Sequence, residues 1–168
     1  MDKKLIVIAC SKQKQGTVYK DREGNDSYGF IERISQSKEL GGLESYPELT
    51  KKRESILIEY NKKEISKNIT RESSAVAVYE GKQYKYKFND LKEIIRKNRS
   101  KYDVLIVSTL YGIVHFSDKN YPYEVKDMKK YWNGEADCEI LRKIILEYYK
   151  EKNFIRCMCF YLKHTLML

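Results

Sequence analysis

The sequence has little proline, histidine or tryptophan, and it lacks any long apolar run. Its 168 residues include two prolines, two histidines and one tryptophan. The longest apolar stretches, residues 5–10 and 104–107, fall far short of the roughly 20 residues that a transmembrane helix needs. The first run is also too short for a signal peptide and has no small-residue cleavage site. These absences predict an intracellular, cytoplasmic protein without a membrane-spanning segment.

Several chemical signatures are missing as well. The four cysteines are expected to be free thiols in a reducing compartment. Cys157, Cys159 and His164 are too few, and too closely spaced at the two cysteines, for a structural zinc site. No Walker loop, dinucleotide fingerprint, paired-carboxylate motif or Ser-His-Asp sequence pattern is present. The sequence therefore predicts no metal and no cofactor, and it leaves open whether the protein is an enzyme.

Positive charge is what the sequence has in excess. Its 33 Lys and Arg residues against 24 Asp and Glu residues give a net charge of +9. Such an excess favours a polyanionic partner such as DNA, although a solvated lysine-rich surface has the same composition. The best candidate for an electropositive ridge is the outer face of a helix predicted from Ser45 to about Asn68. That face comprises Lys51, Lys52, Arg53, Lys62, Lys63 and Lys67.

The order of the apolar segments predicts one α/β domain that spans residues 1–168. Short β-branched runs at residues 5–10 and 102–108 predict buried strands. Strands this apolar favour a mostly parallel sheet flanked by helices. Residues 75–79 predict a further strand, which with residues 83–88 would form a small hairpin.

Helix signals lie between and after these strands. Ser45, with Pro47 and Glu48 behind it, forms a capping box that begins the charged helix. Asp137 is placed to cap a final amphipathic helix, and residues 31–40 offer room for one short helix. The chain is predicted to close with a strand and an apolar tail. The segment from Ser108 to Met128 reads as a polar loop.

Two loops follow the carboxyl ends of the two most apolar strands. In open parallel sheets, ligands bind just beyond those ends, so we expect both loops to line one crevice if the strands are neighbours. The residues that we assign to this crevice are Cys10, Ser11, Lys12, Lys14, Ser108, Tyr111, Gly112, Asp118, Pro122 and Tyr123.

The first loop has the chemistry of an anion site. Lys12 and Lys14 supply positive charge and Ser11 supplies a hydroxyl group, which together suit a phosphate. In the second loop Gly112 would let the backbone approach a ligand closely, and Tyr123 would form a wall for a base or sugar. Each feature also has a structural interpretation, as a strand-end turn or as a core aromatic.

Four segments follow one another in an order typical of a known family. They are residues 8–14 (IACSKQK), residues 75–84 (AVAVYEGKQY), residues 108–128 and the pair Tyr131-Trp132. The third is the most specific, with Ser-x-x-Tyr-Gly, an aliphatic pair, a downstream Asp118, Pro122-Tyr123 and Met128. In this order, which runs from residue 8 to about residue 145, the chain resembles the YaaA-type peroxide-stress proteins and their smaller relatives.

The resemblance implies a cytoplasmic protein linked to oxidative stress, to lower free intracellular iron and to DNA binding. It implies no defined reaction. The chain departs from the family at His115-Phe116, where an Arg-Pro pair is usual, so one cationic contact is expected to be absent. It also ends earlier than full-length members, so part of a DNA-binding surface is expected to be missing.

Three functions remain open from the sequence. The first is binding of a nucleic acid or nucleotide in the crevice. The second is an enzyme acting on a nucleobase or nucleotide, with Tyr111, His115 or Asp118 as acid or base. The third is a non-catalytic interaction module that self-associates through the apolar residues 157–168.

Overall fold

The structure is a mixed α/β fold built around a four-stranded sheet. It is a computed structural model that describes residues 3–12, 14–20, 22–24, 26–62, 71–80, 93, 97–125 and 127–160. The strands are β1 (Lys4–Ala9), β2 (Tyr19–Lys20), β3 (Asp26–Ser27), β4 (Ser73–Ser74), β5 (Tyr102–Ser108), β6 (Gly112–His115), β7 (Lys119–Asn120) and β8 (Arg156–Phe160). The helices are α1 (Tyr46–Asn61), α2 (Ala75–Val78) and α3 (Glu135–Glu151), with a 3-10 turn at Met128–Lys130.

The main sheet has the strand order β6-β5-β1-β8. β1 is parallel to both β5 and β8, whereas β6 turns back antiparallel to β5. Ala9 lies opposite Val107, so the carboxyl ends of β1 and β5 are side by side. The predicted mostly parallel sheet is therefore confirmed, and the two strands whose adjacency the sequence left open are neighbours. Two short antiparallel pairs, β2 with β3 and β4 with β7, lie outside this sheet.

The core lies around β1 and β5, where side chains on both faces are buried. Leu5, Val7, Leu105 and Ile106 have no measurable exposure, as expected for strands covered on both sides. α3 buries the stripe that its helical spacing predicts: Ile140, Leu141, Ile144, Ile145 and Tyr148. Its first turn carries Asp137, but Gly134 occupies the N-cap position that we had assigned to this aspartate.

Helix α1 begins at the predicted place but is held differently. Pro47 lies in its first turn, and Ser45 stands at the N-cap without capping the helix through its side chain. Instead, the Ser45 backbone N–H and hydroxyl both donate to Glu147 Oε2, at 3.0 and 2.9 Å. This pair of hydrogen bonds ties the start of α1 to α3. The predicted continuation to Asn68 falls mostly on residues 63–70, outside the described residues.

Arg53 corrects the predicted electropositive ridge. It is 2% exposed, and its guanidinium donates to the carbonyl oxygens of Tyr111, at 2.6 Å, and Ile113. The Ile113 carbonyl belongs to the outer edge of β6, where no further strand pairs in the described sheet, and the Tyr111 carbonyl lies in the turn just before this strand. Arg53 thus satisfies edge groups that would otherwise remain without partners in the interior. Lys52 is also withdrawn from the ridge, because it forms an ion pair with Asp137 at 2.8 Å.

The predicted strand at residues 75–79 is wrong over most of its length, because Ala75–Val78 forms one helical turn. The N–H groups of Ala75 and Val76 donate to the carbonyl oxygens of Asp118 and Phe116. Helical backbone at this turn lets both groups bond to one neighbouring segment. The other arm of the predicted hairpin, residues 83–88, lies outside the described residues.

Residues 31–40 contain no helix, contrary to the prediction. The chain there is irregular, and the Asn61 side chain holds both polar backbone groups of Ile31, at 3.2 and 2.7 Å. The loop predicted for residues 108–128 is also wrong in part, because β6 and β7 lie within it and most of its residues are buried.

The predicted closing strand is confirmed as β8, while residues 161–168 lie outside the described residues. Self-association through the apolar terminus therefore stays a prediction. In the described ranges, no helix is both long and apolar enough to cross a bilayer. Those same ranges contain no cluster of three or more acidic, histidine or cysteine side chains suited to a metal ion.

Candidate functional site

The loops that follow β1 and β5 meet at the carboxyl edge of the sheet. The Cys10 N–H donates to the Val107 carbonyl oxygen at 2.8 Å, which continues the strand pairing one residue past β1. The half-buried Cys10 thiol then lies 3.9 Å from the Thr109 hydroxyl oxygen. Ser11 is buried and Lys12 is exposed beside it. The structure thus brings the two predicted loops together.

Lys14 places its ammonium group against the ring of Tyr123. Its Nζ lies 4.2 Å from the ring centre and donates a long hydrogen bond of 3.4 Å to the Lys12 carbonyl oxygen. The residue is 8% exposed, and no described carboxylate forms an ion pair with it. Buried ammonium groups are normally paired with an anion. The Lys14 ammonium can therefore still bind an anion.

A cluster of hydroxyl groups lies beneath this ammonium. The Tyr123 hydroxyl is 2.7 Å from Ser108 Oγ and accepts a hydrogen bond of 3.0 Å from Thr109. The Tyr79 hydroxyl donates to Ser108 Oγ at 3.0 Å. Tyr79, Ser108 and Tyr123 have no measurable exposure, and their hydroxyl groups bond to one another, so the cluster fixes the Tyr123 ring beneath the ammonium.

Contacts behind Lys14 fix the path of its loop. Lys14 forms an antiparallel bridge with Tyr79, and its carbonyl oxygen accepts a hydrogen bond of 2.8 Å from the Tyr28 hydroxyl. Gly16 has a φ of +137° and packs against Pro122 so closely that an added Cβ would lie 2.6 Å from its Cγ. Pro122 therefore joins the site as a packing surface for the first loop.

Tyr111 and Gly112 have structural positions next to the cluster. Tyr111 is fully buried; its hydroxyl donates to the Tyr121 carbonyl oxygen at 3.0 Å. Gly112 has a φ of +70°, and an added Cβ would lie 2.8 Å from the Trp132 ring. The glycine is thus required by the turn between β5 and β6 and by the tryptophan. The structure places neither residue at an open surface.

Asp118 does not lie with the other predicted site residues. Its carboxylate accepts hydrogen bonds from the Ser37 hydroxyl at 2.7 Å and from the His115 N–H at 2.8 Å. It therefore covers part of the same β6 edge that Arg53 covers. His115, which the sequence placed in a loop, is buried on β6 and bonded to Asp103.

Burial controls the ionisation of the groups at the carboxyl edge. It lowers the pKa of Lys14, although Cys10 and Glu124 act in the opposite direction. It raises the pKa of Tyr79 and of Tyr123 well above the usual tyrosine range, so both phenols stay neutral. A bound anion would reverse the shift at Lys14, because it would stabilise the charged form.

A separate surface cavity of about 380 Å³ lies between α1 and the irregular chain before it. Arg33, Ser35, Thr50 and the buried Arg53 line it together with Glu32 and Glu54. The cavity shares no residue with the carboxyl edge of β1 and β5. Arg53 already donates to backbone carbonyls of the β6 edge, and the two acidic side chains balance the charge of the two arginines there.

Two members of the cluster were missed in the sequence. Thr109 follows Ser108 directly at the end of β5. This second hydroxyl at the end of a buried strand could have identified Thr109 as a site residue from the sequence. Tyr79 was assigned to a hairpin, and nothing local connects it with Ser108. Only the turn at α2 brings its hydroxyl to the sheet edge.

Comparisons with known proteins add no assignment to this geometry. No model of a known protein family matches the chain, and no curated protein sequence matches it either.

Proposed function

We propose that the protein binds the phosphate group of a nucleotide, or of a nucleic acid, at the carboxyl edge of β1 and β5. Lys14 supplies the positive charge, Ser11 and the loop backbone surround the anion, and Lys12 adds an exposed cation at the rim. The buried hydroxyl cluster below fixes the Tyr123 ring against which the Lys14 ammonium lies.

The observation that carries this proposal is the buried ammonium of Lys14. A lysine that is nine-tenths buried and has no carboxylate partner among the described residues destabilises the fold. A bound phosphate would remove that penalty, and charge-assisted hydrogen bonds to phosphate are among the stronger ones in proteins. The position beyond the ends of two parallel strands is where ligands of α/β proteins commonly bind.

A nucleotide is favoured over an extended nucleic acid by the charges on α1. Binding along DNA requires several phosphate contacts on one surface. The ridge predicted on α1 loses Arg53 to the interior and Lys52 to its ion pair with Asp137. One buried cation with hydroxyl donors suits one phosphate group better than a run of them.

Binding without turnover is favoured by the state of the predicted acid–base groups. Tyr111, His115 and Asp118 are each buried and bonded to other groups of the protein. None of the three is presented to a ligand at the carboxyl edge. Enzymatic action on a nucleobase through these groups would need at least one of them to be freed from its present partners.

The proposal also includes the location of the protein and its family. The described cysteines are all free thiols, which supports a reducing, cytoplasmic location. The YaaA-type resemblance supports a role in oxidative stress, with the Ser-Lys loop and the Tyr-Gly and Pro-Tyr segments around one ligand. We also propose that the chain is a member of that family. The proposal includes helices that cover both faces of the whole sheet.

Calorimetric titration with ADP at low ionic strength tests the function. We expect binding by the wild type and a loss of about 10- to 100-fold in affinity for Lys14→Met, the equivalent of one charged hydrogen bond. Lys51→Met is the matched control, because Lys51 is exposed on α1; its affinity should equal that of the wild type.

A parallel titration with a labelled oligonucleotide separates the two ligand classes. Steep loss of affinity with salt would indicate several phosphate contacts, and a shallow dependence would indicate one. Absence of binding to both ligands at low salt would overturn the proposal. Equal weakening by both lysine variants would assign binding to general surface charge instead.

A further inference from the structure

A serine, a histidine and an aspartate meet at the amino end of β5. His115 Nε2 lies 2.6 Å from Asp103 Oδ1, and His115 Nδ1 lies 2.6 Å from Ser117 Oγ. Asp103 stands five residues before Ser108, which places this group about 16 Å from the carboxyl edge along an extended strand. The cluster is therefore separate from the phosphate site.

The hydrogen bonds define the proton positions on the imidazole. The Ser117 backbone N–H donates to His115 Nδ1 at 3.3 Å, so Nδ1 acts as an acceptor. The ring proton then resides on Nε2 and is donated to Asp103. With Nδ1 an acceptor, the Ser117 hydroxyl donates its own proton to it. This is the arrangement in which an imidazole can act as a general base toward a serine.

Asp103 is held as a carboxylate. Its Oδ2 accepts hydrogen bonds from Lys3 at 2.8 Å and from the Tyr148 hydroxyl at 2.9 Å. Burial opposes its ionisation, but the hydrogen bonds from His115 and Lys3 outweigh burial and hold its pKa well below the usual range. An ionised Asp103 orients the ring and would stabilise the imidazolium that forms when His115 accepts a proton.

The base and the nucleophile differ in their exposure to solvent. Asp103 and His115 are 4% and 3% exposed, whereas Ser117 is exposed at the turn after β6. The base is thus shielded from water while the hydroxyl is reachable from solvent. Arg99, also exposed, lies over the Phe116 ring with its guanidinium carbon 6.0 Å from the ring centre. It adds a positive charge near this turn.

We infer that Ser117 is a nucleophile activated by His115 and Asp103, and that it accepts acyl groups from small activated esters. Ser-His-Asp groups recur on unrelated folds and are recognised by geometry and role, not by sequence order. Here the serine and histidine are two residues apart, and the aspartate comes from the neighbouring strand. Ser117 is exposed, so a small ester can reach its hydroxyl from solvent.

The reaction has two stages, acylation of Ser117 and hydrolysis of the acyl-serine. Ser117 Oγ attacks the ester carbonyl carbon while its proton passes to His115 Nδ1, and a C–O bond forms. The bond to the leaving alcohol then breaks, and the alcohol takes that proton from His115. Water repeats the sequence on the acyl-serine, releasing the carboxylic acid and restoring the hydroxyl.

Labelling with a fluorophosphonate, a reagent that phosphonylates activated serines, tests the inference. We expect peptide mass spectrometry to find one adduct per chain, on Ser117, and the wild type to release p-nitrophenol from p-nitrophenyl acetate. Ser117→Ala should remove both signals. His115→Gln should slow labelling by about 100-fold or more, the contribution typical of a general base.

Ser55 provides the internal control. It is exposed on α1, and its hydroxyl donates to the Lys52 carbonyl oxygen at 2.8 Å. Its peptide should remain unlabelled in every variant. Labelling of Ser117 no faster than of Ser55 would overturn the inference, and this comparison needs only the wild-type protein. Unchanged labelling in a folded His115→Gln variant, judged by its thermal melt, would overturn it as well.

Discussion

Lys14 and Tyr123 form a cation–π contact in which the ammonium nitrogen lies 4.2 Å from the ring centre. The contact joins the loop after β1 to residues 121–123 (Tyr-Pro-Tyr), two parts of the chain that are distant in sequence. A cation–π contact contributes about 0.5–2 kcal/mol. That is less than the several kcal/mol that a buried and unpaired charge can cost. The contact alone therefore leaves Lys14 unfavourable in the absence of an anion.

We predict that Lys14→Met stabilises the protein while weakening ligand binding. The pKa of Lys14 is lowered by burial, so the folded state releases this proton more readily than the unfolded state. The contribution of Lys14 to the free energy of unfolding therefore rises as pH rises through the pKa that Lys14 has in the folded state. At neutral pH the charged ammonium is unfavourable. We expect a gain of roughly 1 kcal/mol in the free energy of unfolding, measured by urea denaturation in phosphate-free buffer.

The same urea denaturation of wild type and Lys14→Met is repeated with ADP present. The wild type should gain stability with ligand concentration and the variant should gain little. A Lys14→Met protein that is less stable than the wild type without ligand would show that the lysine has a structural role.

We predict that Arg53→Met destabilises the fold strongly. The substitution removes the donors to the Tyr111 and Ile113 carbonyl oxygens and leaves two buried acceptors, one in the turn before β6 and one on its outer edge. We expect a loss of roughly 2–4 kcal/mol, because unsatisfied buried groups cost about 1–3 kcal/mol each. Trp132, the single tryptophan, is buried, so its fluorescence can follow urea unfolding. Lys51→Met on the same helix should change stability by less than about 0.5 kcal/mol.

We predict that Gly112→Ala costs more stability than Gly24→Ala. Both glycines have positive φ values, +70° and +82°, but only at Gly112 would a Cβ meet a side chain, the Trp132 ring at 2.8 Å. Gly24→Ala should cost about 1 kcal/mol for backbone strain alone. Gly112→Ala should cost about 3 kcal/mol, because overpacking adds to that strain. Equal thermal shifts for the two variants would contradict the role assigned to Trp132.

We predict that acid removes the contribution of Asp103 to stability. Its pKa is depressed in the folded state, so the contribution is fully present above the unfolded pKa of about 3.9. It is lost as pH falls from there through the folded pKa. Asp103→Asn should be less stable than the wild type by about 2 kcal/mol at pH 7. The difference should shrink below about pH 4 in urea titrations, because the other carboxylates protonate alike in both proteins.

A constant difference between wild type and Asp103→Asn from pH 7 to pH 3, a range that brackets the usual aspartate pKa of about 3.9, would contradict this prediction. It would mean that the loss arises from packing of the amide and not from the charge that Lys3 and His115 stabilise.

Local patterns were sufficient for the strands and helices that bury an apolar face. The run at residues 102–108 predicted β5 with its observed bounds, and the spacing in α3 predicted its buried stripe. These predictions succeeded because a strand or helix that must be covered shows this requirement in its own residues. The strand predicted at residues 75–79 failed because tertiary contacts with Phe116 and Asp118 favour a helical turn over the β-branched propensity there.

The sequence by itself indicated the strands β1 and β5, a mostly parallel sheet and the loops that follow these strands, because a continuous apolar run is a local property. Only the tertiary structure placed β1 beside β5. Only the tertiary structure decided that Arg53 turns inward, that Asp118 covers the β6 edge, and that His115 joins Asp103 and Ser117. The contacts of Arg53, and the contact of Asp118 with Ser37, depend on which hydrogen-bonding groups a distant element leaves unsatisfied. No local pattern in the chain records that requirement, so it appears only when the elements are packed together.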